Sequence, residues 1–349
     1  MFSIVAISIS PIFSTFAIAM EFYNRNKAIE RMNEWGRLHK RFLFIINYKQ
    51  DQSYIEEIDS IDSQHLLYNF NGITNENNLH EDKEAILSKI RWAPSPMDFL
   101  HYKESFNTVK RNILSGNSFL TNLTCATPIE TNLSLKDIYC ISQAKYKLWL
   151  NEMFVVFSPE IFLKIKGQYI SSYPMKGTID ANQPNAEDIL MDDPKEAAEH
   201  ATITDLIRND LSMVADHVSV KRYRYIDKIE TSHGPILQTS SEICGLLPDD
   251  FYNHLGDIFF RLLPAGSITG APKRKTMEII SEAENYQRNF YTGVTGYFDG
   301  YNLDSAVMIR FLEQSGNHLI YKSGGGITCQ SDALNEYNEM KQKIYVPIY

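Results

Sequence analysis

The chain is poor in cysteine, and its few cysteines form no pattern. Cys125, Cys140, Cys244 and Cys329 are scattered over 349 residues without a CxxC pair, which argues against a zinc ribbon, a redox dithiol centre or a disulfide scaffold. Each stands alone, mostly among apolar residues, and reads as a reduced residue of a cytosolic protein. Basic charge is also scarce: 34 Lys and Arg against 43 Asp and Glu leave a net charge of −9. A nucleic-acid binder needs clustered cations to neutralise phosphates, so no nucleic-acid partner is expected. An anionic small molecule stays open as a partner, because a bound divalent cation inverts the local field. No Gly-Lys-Ser/Thr spacing marks a Walker loop, and no Lys or Arg precedes Arg25, so the apolar first twenty residues lack the basic start of a signal peptide. Ser3, Ser8, Ser10, Pro11, Ser14 and Thr15 weaken a membrane-anchor reading. We read residues 1–20 as an extension outside the working protein, with an anchor second and a signal third.

What is present suffices for a large core: 44% of residues are hydrophobic and 22% charged, enough for one big domain or two of ordinary size. Residues 21–45 read as a helix running into a strand at Arg41-Phe42-Leu43-Phe44-Ile45-Ile46. Residues 47–82 are polar and read as strands and loops of a peripheral layer. A short helix over 81–90 leads to an irregular connection at Trp92-Ala93-Pro94-Ser95-Pro96. Residues 99–115 form an amphipathic helix closed by Gly116, followed by an alternating strand over 119–124.

Chemistry-bearing residues begin at Ser158-Pro159-Glu160. Residues 161–165 and 169–173 are β-prone, and Lys166-Gly167-Gln168 is the turn between them. Glu160 then lies at the open end of a hairpin, with Lys176 at the same end on a Gly-Thr turn that leaves its side chain free. An acid and an amine so placed suit proton donation and nucleophilic attack, although most such pairs are plain salt bridges. Residues 179–192 read as a solvated loop. Asp193-Pro194-Lys195-Glu196 is a helix start, and Ile203, Leu206, Ile207 and Leu211 give that helix an apolar face. Glu196 and Glu199 share another face. Glu336 and Glu339 repeat the spacing on the last helix, which packs through Leu334, Tyr337 and Ile344. Taken alone, such pairs are usually a solvated face; two of them together can cage a hard cation. Gly266 to Lys273 is a Gly-rich entry to a helix over 272–284, and Asp299-Gly300 is a hairpin turn. Arg310, on the strand after it, has a fork suited to a carboxylate. Lys322 precedes Gly324, Gly325 and Gly326, where missing side chains let backbone N–H groups approach an anion; a flexible loop is the equal alternative.

Five blocks carry a resemblance: Ser158-Pro159-Glu160 with Pro174-Met175-Lys176-Gly177-Thr178; Glu199-His200 leading to Arg208-Asn209-Asp210; Pro264 to Lys273; Tyr291-Thr292-Gly293; and Gly324-Gly325-Gly326-Ile327 with Glu336-xx-Glu339. In this order they resemble the chorismate-utilising enzymes, and among these component I of aminodeoxychorismate synthase. The resemblance covers residues 105–345 and implies an α+β fold of two stacked, mostly antiparallel sheets flanked by helices, with a shortened N-terminal part over 21–97 and a catalytic core over 98–349. It implies a magnesium ion held by Glu199 and Glu339, with Glu196 and Glu336 acting partly through water. It places Gly266, Thr269, Tyr291, Arg310, Lys322 and the three glycines around the substrate. Its implied chemistry is protonation of the 4-hydroxyl of chorismate by Glu160, attack of Lys176 on C2, and addition of ammonia at C4. Burial beside the cation should lower the Lys176 pKa.

In anthranilate synthases the position of Lys176 is typically alanine, so Lys176 argues against that alternative. Leu120 stands where relatives that add water carry a lysine base, which argues against an isochorismate-type reaction. Tyr173, Ser212-Met213 and Gln238 depart from the usual arginine, Gly-Arg and histidine; Gln238 and Tyr173 keep a non-catalytic chorismate binder open. No Gly-x-Cys-x-Gly elbow surrounds any cysteine, so ammonia is expected from a separate glutamine amidotransferase subunit or from solution.

Overall fold

A computed structural model describes residues 20–76, 83–229 and 234–348. The reading of the N-terminal extension and the start of the 81–90 helix lie outside these residues; the described helix there is Lys83–Leu87.

Two nine-stranded sheets form the frame, and every pairing given for them is antiparallel. In spatial order the first runs Met175–Asp180, Ile236–Leu246, Tyr169–Ser172, Ile161–Lys166, Leu303–Val307, Val294–Phe298, Phe42–Ile46, Ser53–Glu57, with Asp216–Ile229 also on Ile236–Leu246. The second runs Gly270–Ala271, Leu120–Thr131, His318–Ile327, Phe311–Ser315, Phe154–Ser158, Tyr146–Leu150, Leu66–Phe70, Ile73–Thr74, with Trp92–Pro94 also on Leu120–Thr131.

Why the sheets stack can be read from one strand. In Phe42–Ile46 all five residues are buried. Phe42, Phe44 and Ile46 pack with Trp35, Leu255 and Phe259 under helices. Leu43 and Ile45 face the other way and pack with Tyr146, Leu148, Phe154 and Phe311 of the second sheet. Side chains alternate across a strand, so a continuous apolar run demands cover on both faces. A third cluster covers the second sheet's outer face, where Tyr102, Phe106, Val109 and Ile113 line one stripe of the helix Phe99–Leu114.

The α+β architecture is as expected, and so is the 161–172 hairpin, with Lys166 opposite Tyr169. Asp193 caps the helix Pro194–Leu211 by accepting from the N–H groups of Lys195 and Glu196. Several expectations are corrected. Residues 179–192 are not all loop: Ala186–Asp192 is helical because Ala186 and Leu190 bury an apolar edge. Lys176 is not on a free turn but within Met175–Asp180, opposite Thr239, and the ladder is bulged at Gly177. Arg310 follows the strand Leu303–Val307 rather than lying in it, at a positive φ of 54°. Gly324, Gly325 and Gly326 are strand residues paired with Thr124, Leu123 and Asn122, not a flexible loop. On the last helix, Ala333–Gln342, Leu334 is exposed while Tyr337 and Met340 are buried. No helix among the described residues is long and apolar enough to cross a membrane.

Candidate active site

The bulge at Gly177 brings the site together. Gly177 has φ 75°, and a Cβ there would lie 2.9 Å from Glu196 Oε2 and 3.1 Å from Leu190 Cδ1. Only glycine lets the carboxylate helix close this tightly on the strand. One residue earlier, Lys176 Nζ donates to Glu199 Oε2 at 3.1 Å. Burial pulls the Lys176 pKa down, but Glu199, with Glu339 and Glu196 behind it, more than reverses this and the net shift is upward. The expected lowering is therefore not what the protein's own groups produce.

The glycine strand forms the adjoining wall. A Cβ on Gly325 would sit 3.3 Å from Glu336 Oε2, 3.6 Å from Glu339 Oε1 and 3.8 Å from Lys343 Nζ. One on Gly326 would sit 3.0 Å from Leu120 Cδ1 and 3.4 Å from Lys176 Nζ. The missing side chains thus leave room between the amine and both carboxylate pairs. Glu339 is held at 2.7 Å by Lys343 Nζ, which also donates to the Gly324 carbonyl at 2.9 Å. Burial and the neighbouring carboxylates raise Glu196; burial raises Glu336, with Ser331 opposing and Glu339 adding to it.

Glu160 faces the same space. Ser267 Oγ donates to its Oε1 at 2.5 Å. Burial raises the Glu160 pKa, against the opposing pull of Ser267, Lys176, Arg310 and Lys343. Arg310 has its guanidinium 5.5 Å from the centre of the Tyr345 ring, and its buried Nε has no hydrogen-bond partner among the described residues. Such an orphaned donor beside Glu160 is suited to a ligand oxygen.

The remaining sequence candidates have other contacts. Lys322 is fully buried; its ammonium pairs with Glu313 at 2.7 Å and donates to the carbonyls of Gln287 and Arg288. It holds the frame and has no donor to spare for a substrate. Thr269 is also fully buried, next to the Tyr48 hydroxyl, and its carbonyl accepts from the N–H of Asn122. Tyr291 packs in the inter-sheet core, its ring 5.8 Å from Phe311, and burial raises its pKa. Gly266 backs onto Asp210 and Leu206. Gln238 pairs with Thr178, just past the bulge. His200 lies behind the site, fully buried against Ser241 Oγ at 2.6 Å, and burial pushes its pKa down to about 4. The sequence reading missed Lys343 and Ser267. Lys343 was legible as a partner four residues after Glu339. Ser267 had no local signal beyond its Gly-rich turn.

A cleft of about 790 Å³ lined by Lys136, Trp149 and His318 lies at the other end of the strands Leu120–Thr131 and His318–Ile327, and it contains none of these groups.

The family model described as chorismate binding enzyme matches residues 15–348. The chain belongs to that family. An uncharacterised PabA-like protein of Haemophilus influenzae is 46% identical to this chorismate-binding family member over 324 residues, covering 92% of this chain and 96% of its own. Aminodeoxychorismate synthase component 1 of Bacillus subtilis is 31% identical over 258 residues, 70% of this chain and 54% of that protein. Among solved structures, anthranilate synthase component I of Streptococcus pneumoniae superposes with a TM-score of 0.63 at 25% identity, over 74% of this chain and 59% of that one. The menaquinone-specific isochorismate synthase of Escherichia coli shares the fold, with a TM-score of 0.70 at 17% identity over 93% and 82% of the two chains.

The carboxylates of the site fit a hard cation in kind: they offer only oxygen donors, and their repulsion is relieved by positive charge. Among the described residues no three acidic, His or Cys groups already stand close enough to ligate one ion. Glu199 is turned to Lys176 and Glu339 to Lys343, so holding a cation requires these side chains to rotate.

Proposed function

We propose that this chain is the chorismate-aminating component of an aminodeoxychorismate synthase, replacing the 4-hydroxyl of chorismate by an amino group and retaining the enolpyruvyl ether. The supporting observation is Lys176: its amine is 3.1 Å from Glu199 and within electrostatic reach of Glu339, Glu196 and Glu160. The aminodeoxychorismate and anthranilate synthases among its relatives are of one family, and the lysine separates the two reactions by closing C2 to ammonia.

Hydroxide is a poor leaving group, so the 4-hydroxyl must depart as water. Glu160, kept protonated by burial to higher pH than an ordinary glutamic acid, supplies the proton. Lys176 forms a bond to C2 as both conjugated ring double bonds shift, from C1=C2 and C5=C6 to C1=C6 and C4=C5, and the C4–O bond breaks. Ammonia then bonds to C4, both double bonds shift back and the C2–lysine bond breaks. The sum is chorismate plus ammonia giving 4-amino-4-deoxychorismate plus water. Lys176 attacks only as the free amine, and Glu199 is the group that stabilises its proton. Turning Glu199 aside leaves burial dominant, and burial favours the free amine. Leu120, packed beside Gly326, offers no base for water. Arg310 and Lys343, both within electrostatic reach of Glu160, are the cations for the substrate's carboxylates. Glu199 and Glu339, with Glu196 and Glu336 next to them, would hold magnesium, which would supply a divalent charge for the ring carboxylate. Curated relatives are named as component 1 of their synthases, which supports an amidotransferase partner as the ammonia source and a place in 4-aminobenzoate and folate synthesis.

Incubating the protein with chorismate, Mg2+ and ammonium chloride and identifying the product by mass tests the proposal. The expected product is 4-amino-4-deoxychorismate. Anthranilate, isochorismate or untouched chorismate overturns it.

A further inference from the structure

Ser267, the hydroxyl on Glu160, sits in the Gly-rich loop of residues 263–272, between the helices Leu255–Leu262 and Lys273–Ala283. Past Ser267 the loop is anchored: the Ile268 carbonyl accepts from Asn122 and Arg288, and Gly270–Ala271 pairs with Leu120–Thr121. Lys273, the first residue after it, adds a constraint on its entry. Its Nζ donates to the carbonyl of Leu262, the last residue before the loop, at 2.7 Å. The same ammonium lies 2.7 Å from Asp210 Oδ2. That oxygen is 3.0 Å from where a Cβ on Gly266 would be, so the carboxylate bears on the loop right beside Ser267. Asp210 belongs to the helix Pro194–Leu211, which also carries Glu196 and Glu199. Both side chains are largely buried, at 14% and 17% exposure.

We propose that the Asp210–Lys273 ion pair is a positioning device: it closes the loop on itself and locks it to the carboxylate helix, so that Ser267 stays on Glu160 and the acid stays in register with the metal-side carboxylates. The proposal rests on the reading of Glu160 as the acid. Neither residue meets the substrate; both act through Ser267. A buried pair that only held the fold could be replaced by uncharged groups at little loss, whereas a group displaced by about 1 Å from an active-site acid loses rate.

The test follows the Glu160 carboxyl by difference infrared titration in substrate-free protein, with Glu160→Gln as the blank. Ser267 opposes the rise of the Glu160 pKa, so Ser267→Ala should move the titration to higher pH. Lys273→Met, and the double variant Asp210→Asn/Lys273→Met that leaves no unpaired buried charge, should move it equally. Adding Ser267→Ala to either should move it no further. Chorismate consumption should show kcat about tenfold lower with KM within about twofold. An unmoved titration in the pair variants, additive shifts, or failure of the double variant to fold each overturns the proposal. Because the titration needs no substrate, a product other than the 4-aminated one sinks the amination reading and leaves this coupling standing.

Discussion

Lys176 and Glu199 meet at 3.1 Å across the gap between a bulged edge strand and the helix beside it. The contact is mostly screened from solvent, with side-chain exposures of 24% and 15%. An amine in this position is both a proton-holding cation and, once released, a nucleophile beside the substrate cavity. The predictions below depend on which groups hold it there.

Lys176→Ala should lose the 4-aminated product and yield anthranilate and pyruvate, because ammonia then reaches C2 directly. Product mass spectrometry decides this. Retained 4-amination in the variant removes the nucleophile.

Glu160 should impose a basic limb on the pH profile. The active form is protonated, and burial raises its pKa; activity is therefore present below that raised pKa and falls as pH rises through it. Glu160→Gln should lower kcat about 10²–10⁴-fold and erase this limb. Unchanged turnover in the variant would refute the acid assignment.

Two neighbouring glycines should behave differently. A Cβ on Gly324 would lie 2.2 Å from the Leu123 carbonyl oxygen, which backbone cannot relieve, so Gly324→Ala should destabilise by about 3 kcal/mol. A Cβ on Gly326 meets only the ends of Leu120 and Lys176. Gly326→Ala should melt near the wild type yet lose about 10²-fold in kcat by displacing the amine. Thermal melts and steady-state kinetics on the pair check both.

Lys322→Met should lower stability by about 3–5 kcal/mol, since it strands Glu313 next to a fully buried site. KM for chorismate should not move in whatever protein remains folded. A large KM effect would return Lys322 to the substrate pocket.

Much of this was legible in the sequence, and the misses have physical causes. The 161–172 hairpin announced itself by β-prone runs around Gly167, and the carboxylate helix by Asp193 and Pro194 at its start. Lys176 was placed at the correct end of the sheet but on the wrong element, because its strand pairs with Ile236–Leu246, some sixty residues away. Lys322 looked available because Glu313 and the carbonyls that saturate it come from other segments. Ser267 and Asp210 gain meaning only when the 263–272 loop folds against the helix. Local pattern reveals elements and pairs within one helix; it does not reveal which distant group has already claimed a charge.

The most direct measurement is the intact mass of the protein after mixing with chorismate and Mg2+ without ammonia, followed by peptide mapping. The account predicts an added mass of chorismate less one water, located on Lys176 and absent from Lys176→Ala. An adduct on Lys343, or an unmodified Lys176 in protein that yields 4-amino-4-deoxychorismate once ammonia is added, would contradict it.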